Sequence, residues 1–261
     1  MKRYITALLV ALMMVVPTVA SAQTDTTTDT TAPRDQVTDQ ATDRQTDAQT
    51  DAETDRHRDL APAKAKVLRS IDVRISALDT ALVRVEGSHH LTPGHKATLT
   101  ADYRFHRNGL ADLRIEVERA ETLAELAPLA KKVVVEHWIF ALQIPKGRLT
   151  NGADAVADAA VKAERVSDEF AQVLARLEAN GVDVEEGWEL LDDFNAEVGE
   201  AQVLAAPVPD LVLAIEVGQM PGATSILDSA RADLRKAHGS LTEARSIARQ
   251  LVQFIRSVVD F

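Results

Sequence analysis

A helical repeat of apolar residues occupies most of this 261-residue chain, from about residue 61 to its last residues. In its first segment the apolar residues alternate three and four positions apart: Leu68, Ile71, Ile75, Leu78, Leu82 and Val85. Such spacing puts one apolar stripe along a helix and is typical of a coiled-coil seam. The repeat contains no strand-like alternation of apolar and polar residues. The pattern therefore predicts an all-α fold.

Capping residues and helix breakers divide this repeat into five to six long helices. Thr92 followed by Pro93 predicts the start of the second helix, and Thr122 predicts the start of the third. The apolar stripe of the third helix continues to Leu142, and we expect Pro145 to end it. Together these signals predict an elongated antiparallel bundle over residues 61–261.

Three further signals place the remaining helices. Asn151-Gly152 predicts a loop before a fourth helix at about 153–180, and Gly181 ends that helix. Asn108-Gly109 predicts a weak point in the second helix. The last helix, with apolar residues from Leu227 to Val258, is the longest.

The N-terminus has the three parts of a secretory signal peptide. Lys2 and Arg3 are followed by an apolar run, and Ala20-Ser21-Ala22 gives the small-x-small pattern of a cleavage site. The apolar run is too short for a membrane anchor, which needs about 20 residues. Residues 1–22 are therefore predicted to be a signal peptide cleaved after Ala22. The mature protein is then not an integral membrane protein, and is secreted, extracellular or associated with the cell envelope.

Residues 23–60 have a different composition, with repeated Thr-Asp pairs and almost no large apolar side chain. Threonine and aspartate are poor helix formers, and like charges four residues apart repel. The segment is predicted to be a disordered spacer. Its threonines are candidates for O-glycosylation.

Composition excludes several classes of function. The chain has no cysteine, so thiol nucleophiles, thiolate metal sites and disulfides are ruled out. Its net charge of -11 argues against a nucleic-acid partner. No Gly-x-Ser-x-Gly, His-Glu-x-x-His or phosphate-loop motif is present, so we expect no enzymatic activity and no cofactor.

Histidines provide the alternative to that expectation. His89, His90 and His95 fall in the turn after the first helix, where three imidazoles are suitable ligands for zinc or copper. A polar surface turn is the simpler interpretation. His106 lies on the apolar stripe and His137 lies beside Trp138, and both are interpreted as partly buried histidines with hydrogen-bond partners.

The densest apolar and aromatic segment of the mature chain lies around residue 140. It is either a patch that contacts a partner, a protein or an envelope glycan, or the core contact of a central helix. The residues of the candidate patch are Trp138, Ile139, Phe140, Leu142 and Ile144.

The stretches Leu91-Thr92-Pro93-Gly94-His95-Lys96 and Ile139-Phe140-Ala141-Leu142-Gln143-Ile144-Pro145-Lys146 also carry a resemblance. With the alanine-rich heptads that follow, they resemble secreted, alanine-rich helical proteins of high-GC Gram-positive bacteria over about residues 65–205. The resemblance implies export and helices. It brings no established activity and therefore no functional residues.

The sequence thus predicts an exported, non-enzymatic structural or interaction protein that acts through contacts along a helical rod. The alternative is an exported metal-binding protein that uses the turn with His89, His90 and His95, and a helical chaperone or adaptor is a third hypothesis. An exposed heptad stripe can also pair between chains, so oligomers are compatible with the pattern.

Overall fold

The computed structural model describes the backbone of residues 47–259 and the side chains of residues 59–259. Within the described backbone, all regular elements are helical and there is no β-strand. The α-helices are α1 (Asp47–Gly87), α2 (Pro93–Arg119), α3 (Leu123–Val135), α4 (Ile144–Ala179), α5 (Glu185–Ala205), α6 (Val208–Leu213) and α7 (Thr224–Val259). A π-helical segment (Ile139–Gln143) precedes α4, and a short 3-10 helix (Val217–Gln219) precedes α7. The all-α prediction is confirmed.

The predicted signal peptide, its cleavage after Ala22 and residues 23–46 of the predicted spacer lie outside the described residues. Helix α1 begins at Asp47, so its backbone extends into the segment predicted to be a spacer. With 41 residues it is longer than α7, which has 36, so the prediction that the last helix is the longest is wrong. Among the described helices, none combines the length and apolar character that crossing a bilayer requires.

Two of the predicted helix starts are confirmed by their capping hydrogen bonds. The side chain of Thr92 accepts a hydrogen bond from the backbone N–H of His95, and that of Thr122 accepts one from Glu125. Gly181 ends α4 with a φ of 81°, a conformation that glycine adopts at no steric cost.

The prediction for Pro145 and Asn151-Gly152 is wrong. The chain breaks at His137-Trp138, where Trp138 has a φ of 43°, and Pro145 lies in the first turn of α4. A proline is tolerated there because its missing N–H has no partner in the first turn of a helix. Asn151-Gly152 lies inside α4, where its backbone continues the helix that Pro145 opens.

Apolar side chains form three clusters. Helices α1, α2 and α3 share the first cluster. The first half of α4 packs with α6 and the first half of α7 in the second, and the second half of α4 packs with α5 and the rest of α7 in the third. The π-helical segment joins two of them, because Ile139 belongs to the first cluster and Leu142 to the second.

Candidate functional site

The turn between α1 and α2 is bonded to α4 through one buried carboxylate. Asp154, which is 6% exposed, accepts hydrogen bonds from Nδ1 of His95 (2.9 Å) and from the backbone N–H of Thr92 (2.8 Å). Burying a carboxylate is costly unless donors replace the water that it loses. Asp154 has two such donors, so it acts as an anchor for the turn.

Two further contacts continue this attachment along α4. Nδ1 of His90 lies 2.9 Å from a carboxylate oxygen of Asp158, and the hydroxyl of Ser88 donates to the side-chain carbonyl of Asn151 (2.6 Å). Residues 88–95 are hereafter the histidine turn. Its hydrogen bonds with α4 follow successive turns of that helix, at positions 151, 154 and 158.

The three histidines predicted as metal ligands are placed differently from one another. His89 is exposed, while His90 and His95 are directed onto two separate carboxylates. Across the part of the chain that the structure describes, no three His, Asp or Glu side chains are grouped so that they could hold a metal ion. The zinc or copper hypothesis remains a prediction.

A second polar group lies deeper, between α2 and the π-helical segment. His106 and His137 are each 6% exposed, and their Nδ1 atoms lie 3.2 Å apart. The side-chain amide nitrogen of Gln143 lies 2.8 Å from Nε2 of His106. If this amide donates, Nε2 of His106 accepts, so His106 carries its proton on Nδ1 and donates it to His137. Both rings are then neutral.

The surroundings of this buried histidine pair favour the neutral form. Burial lowers the pKa of His106 to about 4, and His137 and Lys146 reinforce the shift while Asp102 opposes it. Burial also lowers the pKa of His137, where Glu136 opposes the shift and Arg74 reinforces it. Removing a charged imidazole from water is unfavourable, and among the described residues no carboxylate is hydrogen-bonded to either ring.

Two glycines make room for side chains where α2 faces the segment from His137 to Gly147. A Cβ on Gly147 would collide with the hydroxyl of Tyr103, and a Cβ on Gly109 would lie 2.9 Å from Cε1 of His137. The Tyr103 hydroxyl donates to the backbone carbonyl of Gln143 (3.1 Å). Burial raises the pKa of Tyr103 to about 12, so this hydroxyl keeps its proton.

A buried lysine completes the contacts between α2 and α4. The amine of Lys146 lies 3.6 Å from a carboxylate oxygen of Asp102 and donates to the backbone carbonyl of Leu213 (3.3 Å). Burial lowers the pKa of Lys146, while Asp102 acts in the opposite direction. Lys146 therefore joins α2, α4 and the end of α6.

The π-helical segment is what directs Gln143 inward. The backbone N–H of Gln143 donates to the carbonyl of Trp138, five residues earlier, so one extra residue is accommodated in the turn. Both Leu142 and Gln143 are buried as a result, although they are neighbours in the chain. Pro145 has no N–H and cannot restore the ordinary α-helical hydrogen bond at its own position.

The candidate partner patch is largely core. Ile139 is 1% exposed and Leu142 is fully buried, so neither is accessible to a partner. Trp138 and Ile144 are half-buried. Phe140 alone of these residues is well exposed, at 52%, and the guanidinium of Arg74 lies 5.5 Å from its ring centroid.

The interpretation of His106 and His137 as buried, hydrogen-bonded histidines is confirmed. Sequence reasoning missed Gln143, Lys146 and Asp154. The signal for the first two was present, because an amide and an amine interrupt an apolar segment that is otherwise suited to a core. Asp154 gave no signal, because its partners His95 and Thr92 are about 60 positions away.

Comparisons with protein-family models, with curated proteins and with solved structures found no match to this chain.

Proposed function

We propose that this chain is an exported, non-enzymatic structural or interaction protein of the cell envelope or extracellular space, in which an elongated antiparallel helical bundle acts through contacts along its length. One observation carries the proposal. Five polar side chains of a kind often found in active sites are hydrogen-bonded between helices, to one another or to the backbone. They are Asp154, His95, His106, Gln143 and Lys146. Their role is to hold helices together rather than to meet a substrate.

The helix lengths support a rod. Helices α4 and α7 have 36 residues each, which corresponds to about 54 Å at 1.5 Å per residue. The second and third apolar clusters follow one another along α4, which supports an elongated core. A rod of this kind offers a large lateral surface for partners, a protein or an envelope glycan, and the segment before α1 would connect it to the envelope.

Fractionation of the native host tests this proposal. The protein is followed through the medium, the salt-washed wall and the membrane pellet. Retention on the wall that is lost on deleting residues 23–46, or on changing Phe140 to serine, supports an envelope-contact role. Val203→Ser is the control variant, because the side chain of Val203 is also exposed, at 75%. A defined turnover by the purified protein would contradict the proposal.

One observation favours the metal-binding alternative. His90 and His95 each present Nδ1 to a carboxylate, an arrangement in which carboxylates orient metal-ligating histidines and leave Nε2 available. Calorimetry with zinc and with copper tests it, and dissociation constants weaker than about 100 μM would dismiss it. Equal binding by the triple alanine variant of His89, His90 and His95 would also dismiss it.

A further inference from the structure

Helix α7 carries a row of arginines along one face. On an ideal helix its five arginines fall within an arc of about 80° and span about 38 Å of the axis. They are Arg231, Arg235, Arg245, Arg249 and Arg256. Four are exposed, and Arg245 is half-buried. The row is hereafter the arginine face of α7.

These arginines differ from those of the first helices in their partners. Arg104, Arg107 and Arg114 on α2 each form an ion pair with a carboxylate of α1. On the arginine face, only Arg231 has a carboxylate within ion-pair distance among the described residues, and that is Asp228 of its own helix. Nε of Arg245 is buried without a hydrogen-bond partner among the same residues.

The complementary surface lies on α5. That helix has seven carboxylates and neither lysine nor arginine: Glu185, Glu186, Glu189, Asp192, Asp193, Glu197 and Glu200. Six of the seven are exposed. They are hereafter the acidic face of α5.

The two faces do not meet within one molecule. Helices α5 and α7 pack through apolar side chains such as Phe194 and Leu251. The nine ion pairs found among the described residues include none between these two helices. Among the described residues, each copy thus presents a positive and a negative face that are largely without ion-pair partners. The exceptions are Arg231, which pairs with Asp228, and Glu200, which accepts a hydrogen bond from Ser240 of α7.

We propose that the arginine face of α7 docks on the acidic face of α5 of a second copy of this chain. The proposal rests on the proposed function and identifies one partner of the rod as the chain itself. Guanidinium groups bind carboxylates in paired hydrogen bonds, which gives such a contact direction as well as charge. A net charge of -11 repels copies at long range, so the attraction acts only when the two faces are opposed.

Analytical ultracentrifugation of the protein purified from its host tests the proposal. At about 20 mM salt the weight-average mass should rise with concentration from the mass of one mature chain toward twice that mass. At about 0.5 M salt it should stay at the monomer value, because exposed ion pairs are screened. A mass that does not rise, or a rise that is insensitive to salt, would overturn the proposal.

Two reversed variants show which faces are used. The first changes Arg235, Arg249 and Arg256 to glutamate, and the second changes Glu189, Asp192 and Asp193 to lysine. All six residues are exposed, so both variants should fold. Each variant alone should remain monomeric at low salt. An equimolar mixture of the two should associate, since each then meets a complementary face although both still carry a negative net charge.

The matched control reverses three exposed arginines of the other helical group, Arg69, Arg84 and Arg119, and changes the net charge as much as the first variant does. It should associate like the unmodified protein. Equal loss in this control would show that net charge alone is responsible and would overturn the proposal. A monomeric protein that binds inorganic polyphosphate through the arginine face would also overturn it, and would assign that face to an anionic polymer.

The two proposals can fail separately. Loss of self-association with unchanged retention on the wall would overturn the docking of α7 on α5 and leave the proposed function intact. A defined turnover by the purified protein with intact self-association would do the reverse.

Discussion

The contacts made by the two halves of α4 are chemically different. Near its start, α4 meets the histidine turn through Asp154 and α2 through Lys146, and Gln143, just before α4, meets the buried histidine pair. Its second half meets α5 and α7 through alanines and apolar residues such as Phe170 and Leu174. The first half of α4, hereafter its polar half, thus adds directional, titratable contacts to its apolar packing on α6 and α7. The second, hereafter its apolar half, is held mainly by apolar burial. The hydrogen bonds and ion pairs specify the geometry of the packing, and apolar burial supplies most of the stability.

The largest effect should come from the apolar half. We expect Phe170→Ala to lower the free energy of unfolding by about 4 kcal/mol, because Phe170 is fully buried and its ring contacts that of Phe194 edge to face. Chemical denaturation measures it. The exposed Phe105 provides the control, and Phe105→Ala should change stability by less than about 0.5 kcal/mol. A loss of under 1 kcal/mol at Phe170 would contradict the assignment of stability to this half.

Gly147→Ala tests whether the polar half of α4 depends on the close contact between Gly147 and Tyr103. The added methyl group would collide with the hydroxyl of the buried Tyr103 and displace that side chain, at a cost of about 3 kcal/mol. Gly199→Ala on α5 is the control, since nothing lies within 4 Å of its Cβ position, and there we expect a gain of up to about 1 kcal/mol. Equal effects of the two substitutions would contradict the close packing of Tyr103 against Gly147.

Acid should destabilise the folded chain through the buried histidine pair. The pKa of His106 is about 4 in the folded chain, below the value of about 6.5 for an unfolded histidine. Between those values the unfolded state binds more protons, so stability is complete above about pH 6.5 and falls as the pH drops toward 4. The loss should reach about 2 to 3 kcal/mol. Unfolding measured from pH 7 to pH 4 gives the slope.

The double variant His106→Leu and His137→Leu provides the control for acid sensitivity. It should show a shallower slope over the same range of pH, because neither position can then take up a proton. A slope identical to that of the unmodified protein would assign the acid sensitivity to other groups.

Asp154→Ala should have the smallest of these effects, about 2 kcal/mol. It leaves the backbone N–H of Thr92 and the ring of His95 without their acceptor, and losing the partner of a donor at a partly buried site is costly. The measurement is the midpoint of urea unfolding. Asp158→Ala removes a half-exposed carboxylate from the same helix and should cost less than about 1 kcal/mol.

Some helix ends could be predicted from the sequence and others could not. The caps at Thr92 and Thr122 and the end at Gly181 were predictable because each depends on hydrogen bonds or dihedral angles within a few residues. Pro145 was misread because a proline can end one helix or begin the next. The choice depended on the left-handed turn at Trp138, which Pro145 itself does not specify.

The candidate site was less predictable than the helices. Histidine and glutamine residues are easy to find in a sequence, but their partners are not. His106 meets His137 across 31 positions and Gln143 across 37, and the π-helical segment decides that Gln143 points inward. The predicted patch around Phe140 was mostly core for the same reason, because burial depends on which helices meet there.

The amino-acid sequence by itself determined that this chain is helical, where most of its helices begin and end, and which stripe of each is apolar, because these properties follow from local backbone preferences and periodicity. Only the tertiary structure decided which polar side chains share the interior, and hence which histidines are neutral and which carboxylate is an anchor. Desolvation and hydrogen bonding depend on groups that are distant in the chain and close in space.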